Sequence, residues 1–226
     1  MKQTTASFLF ADVKGYSKLT EYQVKCFYQE ILPKLKLKVD EYKEHLTDIN
    51  TWGDGLMIVS EAPYNLARLS LDIRDFYNNY NWINQGMPEL VVRIALHHGD
   101  IYRGIDPFRE RESIIGTEVT LGARLEPTTV AGQVWVTHQF RMMIRETKDP
   151  SIQFEDIGEQ ELAKNHGKIQ VYQLLRRAEF LAIQPNPGTG NSPPPSLPTN
   201  EENINKKKES KTEEIDRLLE IYDEKV

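Results

Sequence analysis

The sequence predicts an α+β sandwich in which helices cover one face of a mainly antiparallel sheet. Three observations lead to this class. Short apolar runs of strand length alternate with longer stretches whose apolar residues recur every three or four positions. Gly53-Asp54-Gly55 stands between two strand-like segments, 48–52 and 56–60, and reads as the tip of a hairpin. The resulting order is strand, helix, hairpin, helix, strand, with further helices and strands behind.

Taken in order, Ser7-Phe8-Leu9-Phe10-Ala11 is a short apolar run that predicts a buried strand ending at Asp12. Val24, Phe27, Ile31, Leu35, Val39 and Tyr42 then mark one side of a long amphipathic helix, which Pro33 should kink. After the hairpin, Leu66, Leu69, Ile73, Phe76 and Tyr80 share a face of a second helix, and 91–97 returns as a strand. Residues 119–125 read as helix, and 133–137 and 170–174 as strands. Half of the twelve prolines fall between Pro185 and Pro198, in a stretch rich in Gly, Ser and Asn, which predicts a flexible linker over 184–203. Beyond it, Lys206-Lys207-Lys208 leads to Ile215, Leu218, Leu219 and Tyr222 at helical spacing. Residues 204–226 therefore form either a short charged amphipathic docking helix or a partly disordered tail. One folded domain is expected over 1–183.

Composition narrows the function classes. A chain of 226 residues, 39% hydrophobic and 27% charged, is long enough for one well-buried domain. Its net charge of -6 offers no field to attract a polyphosphate backbone, so no nucleic-acid partner is expected. Cys26 is the only cysteine, which excludes an intramolecular disulfide and the four-thiolate sites of structural zinc. The amino terminus lacks a signal-peptide core and no run approaches the length of a membrane span. A cytoplasmic protein with no membrane segment is expected.

The candidate chemistry begins at Asp12. The following Val13-Lys14-Gly15-Tyr16-Ser17 reads as a turn feeding the first helix, whose backbone N–H groups suit a phosphate. Asp54 lies at the hairpin tip. If the two strands are neighbours, both carboxylates converge at one edge, where two hard cations could bridge them to a triphosphate. Alone, each has an ordinary reading, Asp12 as a helix cap and Asp54 as a turn residue. Adjacent His97 and His98 on a strand must point to opposite faces, so a structural role is expected for both. Residues 103–111, arginine-rich but interleaved with acids, are expected to form a solvated or dimer-contact loop.

Several blocks resemble the class III nucleotidyl cyclases. Phe10-Ala11-Asp12-Val13-Lys14-Gly15-Tyr16-Ser17 is similar to that family's first metal motif and Asn50-Thr51-Trp52-Gly53-Asp54 to its second. Arg93-Ile94-Ala95-Leu96-His97-His98-Gly99 resembles its central strand, Gly116 through Val119-Thr120-Leu121-Gly122-Ala123-Arg124-Leu125-Glu126 its catalytic helix, and 132–137 the strand after it. The resemblance covers about 8–174. It implies a ferredoxin-like, palm-type sandwich and a homodimer with composite sites that converts a nucleoside triphosphate to a 3′,5′-cyclic nucleotide and pyrophosphate. It further implies that Asp12, Asp54 and the Val13 carbonyl hold two Mg2+ or Mn2+ ions on one protomer while Arg124 reaches in from the other. Thr120 stands where the family usually has a ribose-orienting asparagine. His166-Gly167 falls where many members have Lys-Gly contacting the triphosphate, with Lys164 and Lys168 beside it.

In this family two positions read the base, and here they match Asn50 and Ser113, neither of which belongs to a purine-reading pair. An amide and a hydroxyl can each donate and accept, which suits uracil or cytosine. Trp52 shares a strand face with Asn50 and could fill the space of a purine's second ring. The expectation is a pyrimidine cyclase, UTP slightly before CTP, similar to the stand-alone enzymes of bacterial antiphage defence that signal to a separate cyclic-nucleotide-binding effector. The alternatives are a purine (ATP) cyclase with Trp52 in the core, a non-catalytic nucleotide-binding homologue, and a protein that chiefly docks through its tail.

Overall fold

The computed structural model describes residues 1–145 and 149–183. The expected linker over 184–203 and tail over 204–226 lie outside the described residues. The architecture is built around β1 (Lys2–Lys14), which buries both of its faces: Leu9, Ala11 and Val13 join one apolar cluster, and Ala6, Phe8 and Phe10 another. A strand covered on both sides needs a continuous apolar run, which is what 8–11 supplies. It pairs antiparallel with β3 (Gly55–Ser60) and with β4 (Val91–Asp106). Around this centre are β2 (Leu46–Trp52), β5 (Arg111–Ile115), β6 (Val134–Thr137), β7 (Ile152–Glu161) and β8 (Lys168–Arg176). The sheet order is β2-β3-β1-β4-β6-β8-β7, with β5 paired to the far half of β4. Among the described residues β4 and β6 run parallel and the other pairings are antiparallel.

The helices are α1 (Glu21–Cys26), α2 (Leu32–Asp40), α3 (Pro63–Asn79), α4 (Thr117–Leu125), α5 (His138–Ile144) and α6 (Arg177–Ile183). The expectation that helices cover one face needs correction. Residues of α2, α3 and α5 enter the cluster on the Leu9 side, whereas α4 lies on the Phe8 side. Large residues at both parities of the 8–11 run leave two apolar faces, and both are covered. Gly122 allows α4 to approach, because an added Cβ would sit 2.9 Å from the Phe8 ring and 3.1 Å from that of Phe10.

Other expectations are modified locally. The first strand does not stop at Asp12 but runs to Lys14, and the chain turns at Gly15 with φ of 88°. The long first helix opens on a capping box between Thr20 and Gln23. It is interrupted before Pro33 by a π turn over Phe27–Ile31, in which the Leu32 N–H bonds to the Phe27 carbonyl. Pro33 thus sits in the first turn of α2, where its missing N–H costs little. Residues 103–111, expected as a solvated or dimer-contact loop, are the ends of β4 and β5 joined by an exposed turn over 107–110, and Arg103 of this arm bonds Thr47 of β2 at 2.9 Å. A Gly122→Val substitution should therefore lower unfolding stability by about 1–3 kcal/mol through overpacking against Phe8 and Phe10. Urea denaturation checks this, and an unchanged midpoint would contradict the close approach of α4.

Candidate active site

The register of the sheet makes the site. Asp12 pairs with Arg93 across β1 and β4, and the Arg93 Nη2 donates to Asp12 Oδ2 at 2.5 Å. Pairing of Ala11 with Leu56 sets the Gly53-Asp54 turn just beyond Asp12 and Val13. Gly53 takes φ of 67°, the left-handed conformation that a two-residue hairpin asks of its first loop position. The Asp54 carboxyl is held above its ordinary value, first by burial and then by the charge of Asp12, while the N–H groups of Asp54 and Val13 oppose the shift. The three positions Asp12, Val13 and Asp54 are thus brought together.

Two further charged groups complete the cluster. Arg93 Nε faces Glu126 Oε1 at 3.0 Å, and Arg93 Nη1 reaches the Pro127 carbonyl at 3.4 Å. The Nε and Oε1 atoms are close enough for Coulomb attraction but misaligned for a hydrogen bond, and each is buried without another partner. Burial pushes the Glu126 carboxyl up to about 7, Arg93 pulls it down, and Asp12 and Asp54 push it further up. Beneath them the buried Tyr77 hydroxyl is raised by desolvation and by the charges of Asp54 and Asp12. One guanidinium therefore pairs with two carboxyl groups, Asp12 and Glu126, while Asp54 lies beside Asp12 with no ion pair among the described residues, an arrangement that suits a divalent cation. Among the described residues no group of three or more His, Cys, Asp or Glu side chains has ligand spacing. The carboxylates of Asp12 and Asp54 remain as donors. That hard, incomplete oxygen set fits Mg2+ or Mn2+ shared with substrate phosphates, and does not suit zinc.

The segment after Val13 is a different structure from the expected turn. Lys14 is the last residue of β1, and Gly15 precedes a single 3-10 turn, Tyr16–Lys18, ahead of the Thr20 cap. Lys14 and Ser17 are exposed, whereas Gly15 and Tyr16 are half-buried. Tyr16 packs edge-on against Phe27 at 5.1 Å, and its hydroxyl is raised by burial and by neighbouring Tyr28 and Asp54.

On α4, Thr120 and Arg124 lie one turn apart on the side away from Gly122 and Leu125. Thr120 is exposed and its hydroxyl donates to the Gly116 carbonyl at 3.2 Å. Arg124 is half-buried and, among the described residues, makes no ion pair with Asp12, Asp54 or any other acid. Its carbonyl accepts from the Ala163 N–H at 3.2 Å, which ties the tip between β7 and β8 to the end of this helix. Lys164, His166 and Lys168 are exposed on that tip. The carboxylate cluster and Arg124 thus make no ion pair with each other among the described residues.

Asn50, half-buried on edge strand β2, pairs with Met57 and accepts a hydrogen bond from Arg111 Nη2 at 3.0 Å. Ser113, also half-buried, pairs with Gly104 in the β4–β5 arm. Trp52 is not in the core: 51% of its surface is exposed, and its ring lies over Gly55, where an added Cβ would meet Nε1 at 2.3 Å. His97 is buried between Thr137 at 2.8 Å and Glu118 at 2.6 Å, and His98 bonds Ser7 at 2.8 Å on the other face. Burial lowers both histidines, so both serve as neutral structural links.

A cavity of about 520 Å³ adjoins Asp54 on the α2 side, lined by Tyr28, Leu32, Val39, Ile49 and Tyr77 among others. Its walls are too apolar for a triphosphate. Arg93 and Glu126 both stand inside the motif blocks, but nothing local in the sequence marks them as site residues. What distinguishes them is the pairing of Arg93 with Asp12, a contact between residues far apart in the chain.

The family model for the adenylate and guanylate cyclase catalytic domain matches residues 1–176. The chain belongs to that family. Among solved structures, the guanylate cyclase domain of RhGC from Catenaria anguillulae in complex with GTP aligns with a TM-score of 0.66 at 17% identity, covering 78% of this chain and 100% of that one. The adenylyl cyclase CyaB from P. aeruginosa gives a TM-score of 0.66 at 19% identity, covering 84% and 100%. A dimeric guanylyl cyclase domain from Blastocladiella emersonii gives 0.64 at 17%, covering 78% and 99%. At these identities the likeness shows the fold.

The raised Asp54 value has a definite sign. The folded state binds that proton more tightly than the unfolded chain, so the group's contribution is most favourable below the ordinary carboxylate range and is lost as pH rises through the raised value. Without divalent cations, Asp54→Asn should melt above the wild type at about pH 8, and the gap should close at about pH 4. Mn2+ should raise the melting temperature of the wild type much more than that of the variant. Equal responses to Mn2+ would contradict the assignment of Asp54 as a ligand.

Proposed function

We propose that this cyclase domain converts a pyrimidine nucleoside triphosphate, UTP before CTP, to its 3′,5′-cyclic nucleotide with release of pyrophosphate. The observation that carries the reading is the meeting of Asp12, Val13 and Asp54 at a spot with uncompensated negative charge. Two Mg2+ or Mn2+ ions held by these residues would favour ionisation of the ribose 3′-hydroxyl and neutralise the triphosphate. In the reaction the 3′-hydroxyl gives its proton to water, its oxygen attacks the α-phosphorus, and the bond from that phosphorus to the α–β bridging oxygen breaks, so that pyrophosphate leaves. Arg124, having no ion-pair partner among the described residues, stabilises the charge that builds on the α-phosphate. Thr120, one turn before it, offers a hydroxyl to the ribose. Lys164, His166 and Lys168 supply positive charge or donors to the β- and γ-phosphates, with the N–H groups around Lys14, Gly15, Tyr16 and Ser17 as a second set of donors.

That Arg124 makes no ion pair with Asp12 or Asp54 among the described residues supports a homodimer in which each site draws on both chains. The β4–β5 arm supports it too, for Ile105 is 70% and Phe108 96% exposed. Asn50, Ser113 and Trp52 read the base. The amide and hydroxyl match a pyrimidine edge, and the exposed Trp52 ring is free to close the pocket behind it. No helix among the described residues is long and apolar enough to cross a membrane, in keeping with a cytoplasmic enzyme. The biological setting follows from resemblance to the stand-alone pyrimidine cyclases: a second messenger in antiphage defence, read by a separate cyclic-nucleotide-binding effector.

Supplied with ATP, GTP, CTP and UTP together in Mn2+, the purified protein should yield cyclic UMP as its main product by mass spectrometry. Asp12→Asn should reduce turnover by about a hundredfold or more, since a charged ligand is lost from a two-ion site. Cyclic AMP or cyclic GMP as the main product would overturn the pyrimidine reading, and no pyrophosphate release would indicate a non-catalytic homologue.

A further inference from the structure

We propose that Arg111 is a positioning residue that locks the Asn50 amide in one orientation, so that the site selects a base carrying a carbonyl rather than an amine on its pairing edge. The inference rests on the reading that Asn50 faces the base, and adds to it a direction of choice. An asparagine left to itself reads either edge, because turning the amide over exchanges acceptor for donor. Here it is not left to itself. The Arg111 Nη2 lies 3.0 Å from Asn50 Oδ1, and a guanidinium has donors only. The amide oxygen must therefore face Arg111, since the opposite orientation would set donor against donor. The Asn50 Nδ2 group makes no hydrogen bond among the described residues, so both of its protons remain for a ligand.

The arm is held where this contact can persist. Arg103, one strand back, bonds Thr47 Oγ1 at 2.9 Å and lies 3.5 Å from Glu112, the residue next to Arg111. The β4–β5 arm thus meets edge strand β2 at two points three residues apart, Thr47 and Asn50. Arg111 pairs in register with Asp106 and Ser113 with Gly104, so Arg111 and Ser113 lie on the same face of β5, two residues apart. The hydroxyl of Ser113 can donate or accept and imposes no choice of its own. With Asn50 fixed as a donor, the matching group is the O4 carbonyl of uracil. The N4 amine of cytosine and the N6 amine of adenine would each face a second donor, whereas the O6 of guanine, an acceptor like uracil O4, is left to the size of the pocket.

The test measures the ratio of kcat/KM for UTP to that for CTP, with the ratio of Kd values as a second readout, in the full-length protein. The wild type should prefer UTP by about tenfold or more, the effect of one mismatched hydrogen bond. Arg111→Ala should bring the ratio near unity, and Arg111→Lys, which also presents only donors, should restore much of it. Arg111→Glu should turn the amide over and shift preference to CTP, an inversion that a merely structural role for the arm would not produce. If the Arg111 variants keep the wild-type ratio while Asn50→Ala abolishes it, the positioning role is overturned and the base contact of Asn50 stands. If Asn50→Ala also leaves the ratio unchanged, Asn50 does not read the base and the inference falls with that reading.

Discussion

The excess of carboxyl groups over guanidinium at the ends of β1 and β4 is the constraint on which the rest of the site depends. Asp12 and Glu126 both pair with Arg93 and Asp54 lies beside Asp12, and burial first, then the neighbouring carboxylates, holds Asp54 and Glu126 above their ordinary values. A fold that placed these groups together for stability alone would relieve the repulsion with a second basic residue. The cluster instead stays partly open to solvent and partly short of hydrogen bonds. Such an arrangement costs stability in the free protein and favours binding of divalent cations together with an anionic ligand.

Sheet register is what holds the charges in place. The long pairing of β1 with β4 sets Asp12 against Arg93, and the pairing of β1 with β3 carries the Asp54 turn alongside Val13. Behind it, α4 is pressed onto Phe8 and Phe10 at Gly122 and anchored through Glu118 to His97. The same helix thereby presents Glu126 to Arg93 at its far end and Arg124 outward on its own surface. The proposed homodimer would let the carboxylates of one copy meet Arg124 of the other.

Much of this was legible in the sequence because it depends on local chemistry. The apolar run at 8–11 and the Gly53-Asp54-Gly55 tip announced a strand and a hairpin, and with them the two carboxylates. What was not legible depends on long-range placement. Periodicity says that α4 has an apolar face but not which side of the sheet receives it, so its position opposite α3 could not be read. The role of Arg93 exists only through its register with Asp12, and that of Arg111 only because the β4–β5 arm meets β2. Edge strand β7 escaped notice because its partly exposed residues, among them Glu155, Asp156 and Glu159, lack the apolar run of a central strand. The π turn before Pro33 likewise replaced a simple kink, since the missing N–H could be absorbed by a shift in the helix register.

The central claim, that the carboxylate cluster and Arg124 belong to one catalytic site supplied by two chains, is tested most directly by subunit mixing. Asp54→Asn and Arg124→Ala should each be inactive alone. After verified subunit exchange, one of the two sites in a mixed dimer draws intact carboxylates from one chain and an intact Arg124 from the other. Recovery of about a quarter of wild-type turnover is the expected result for random exchange in an equal mixture, since half the dimers are mixed and each carries one good site of two. No recovery from a demonstrably mixed population would place the whole site within a single chain and contradict the account.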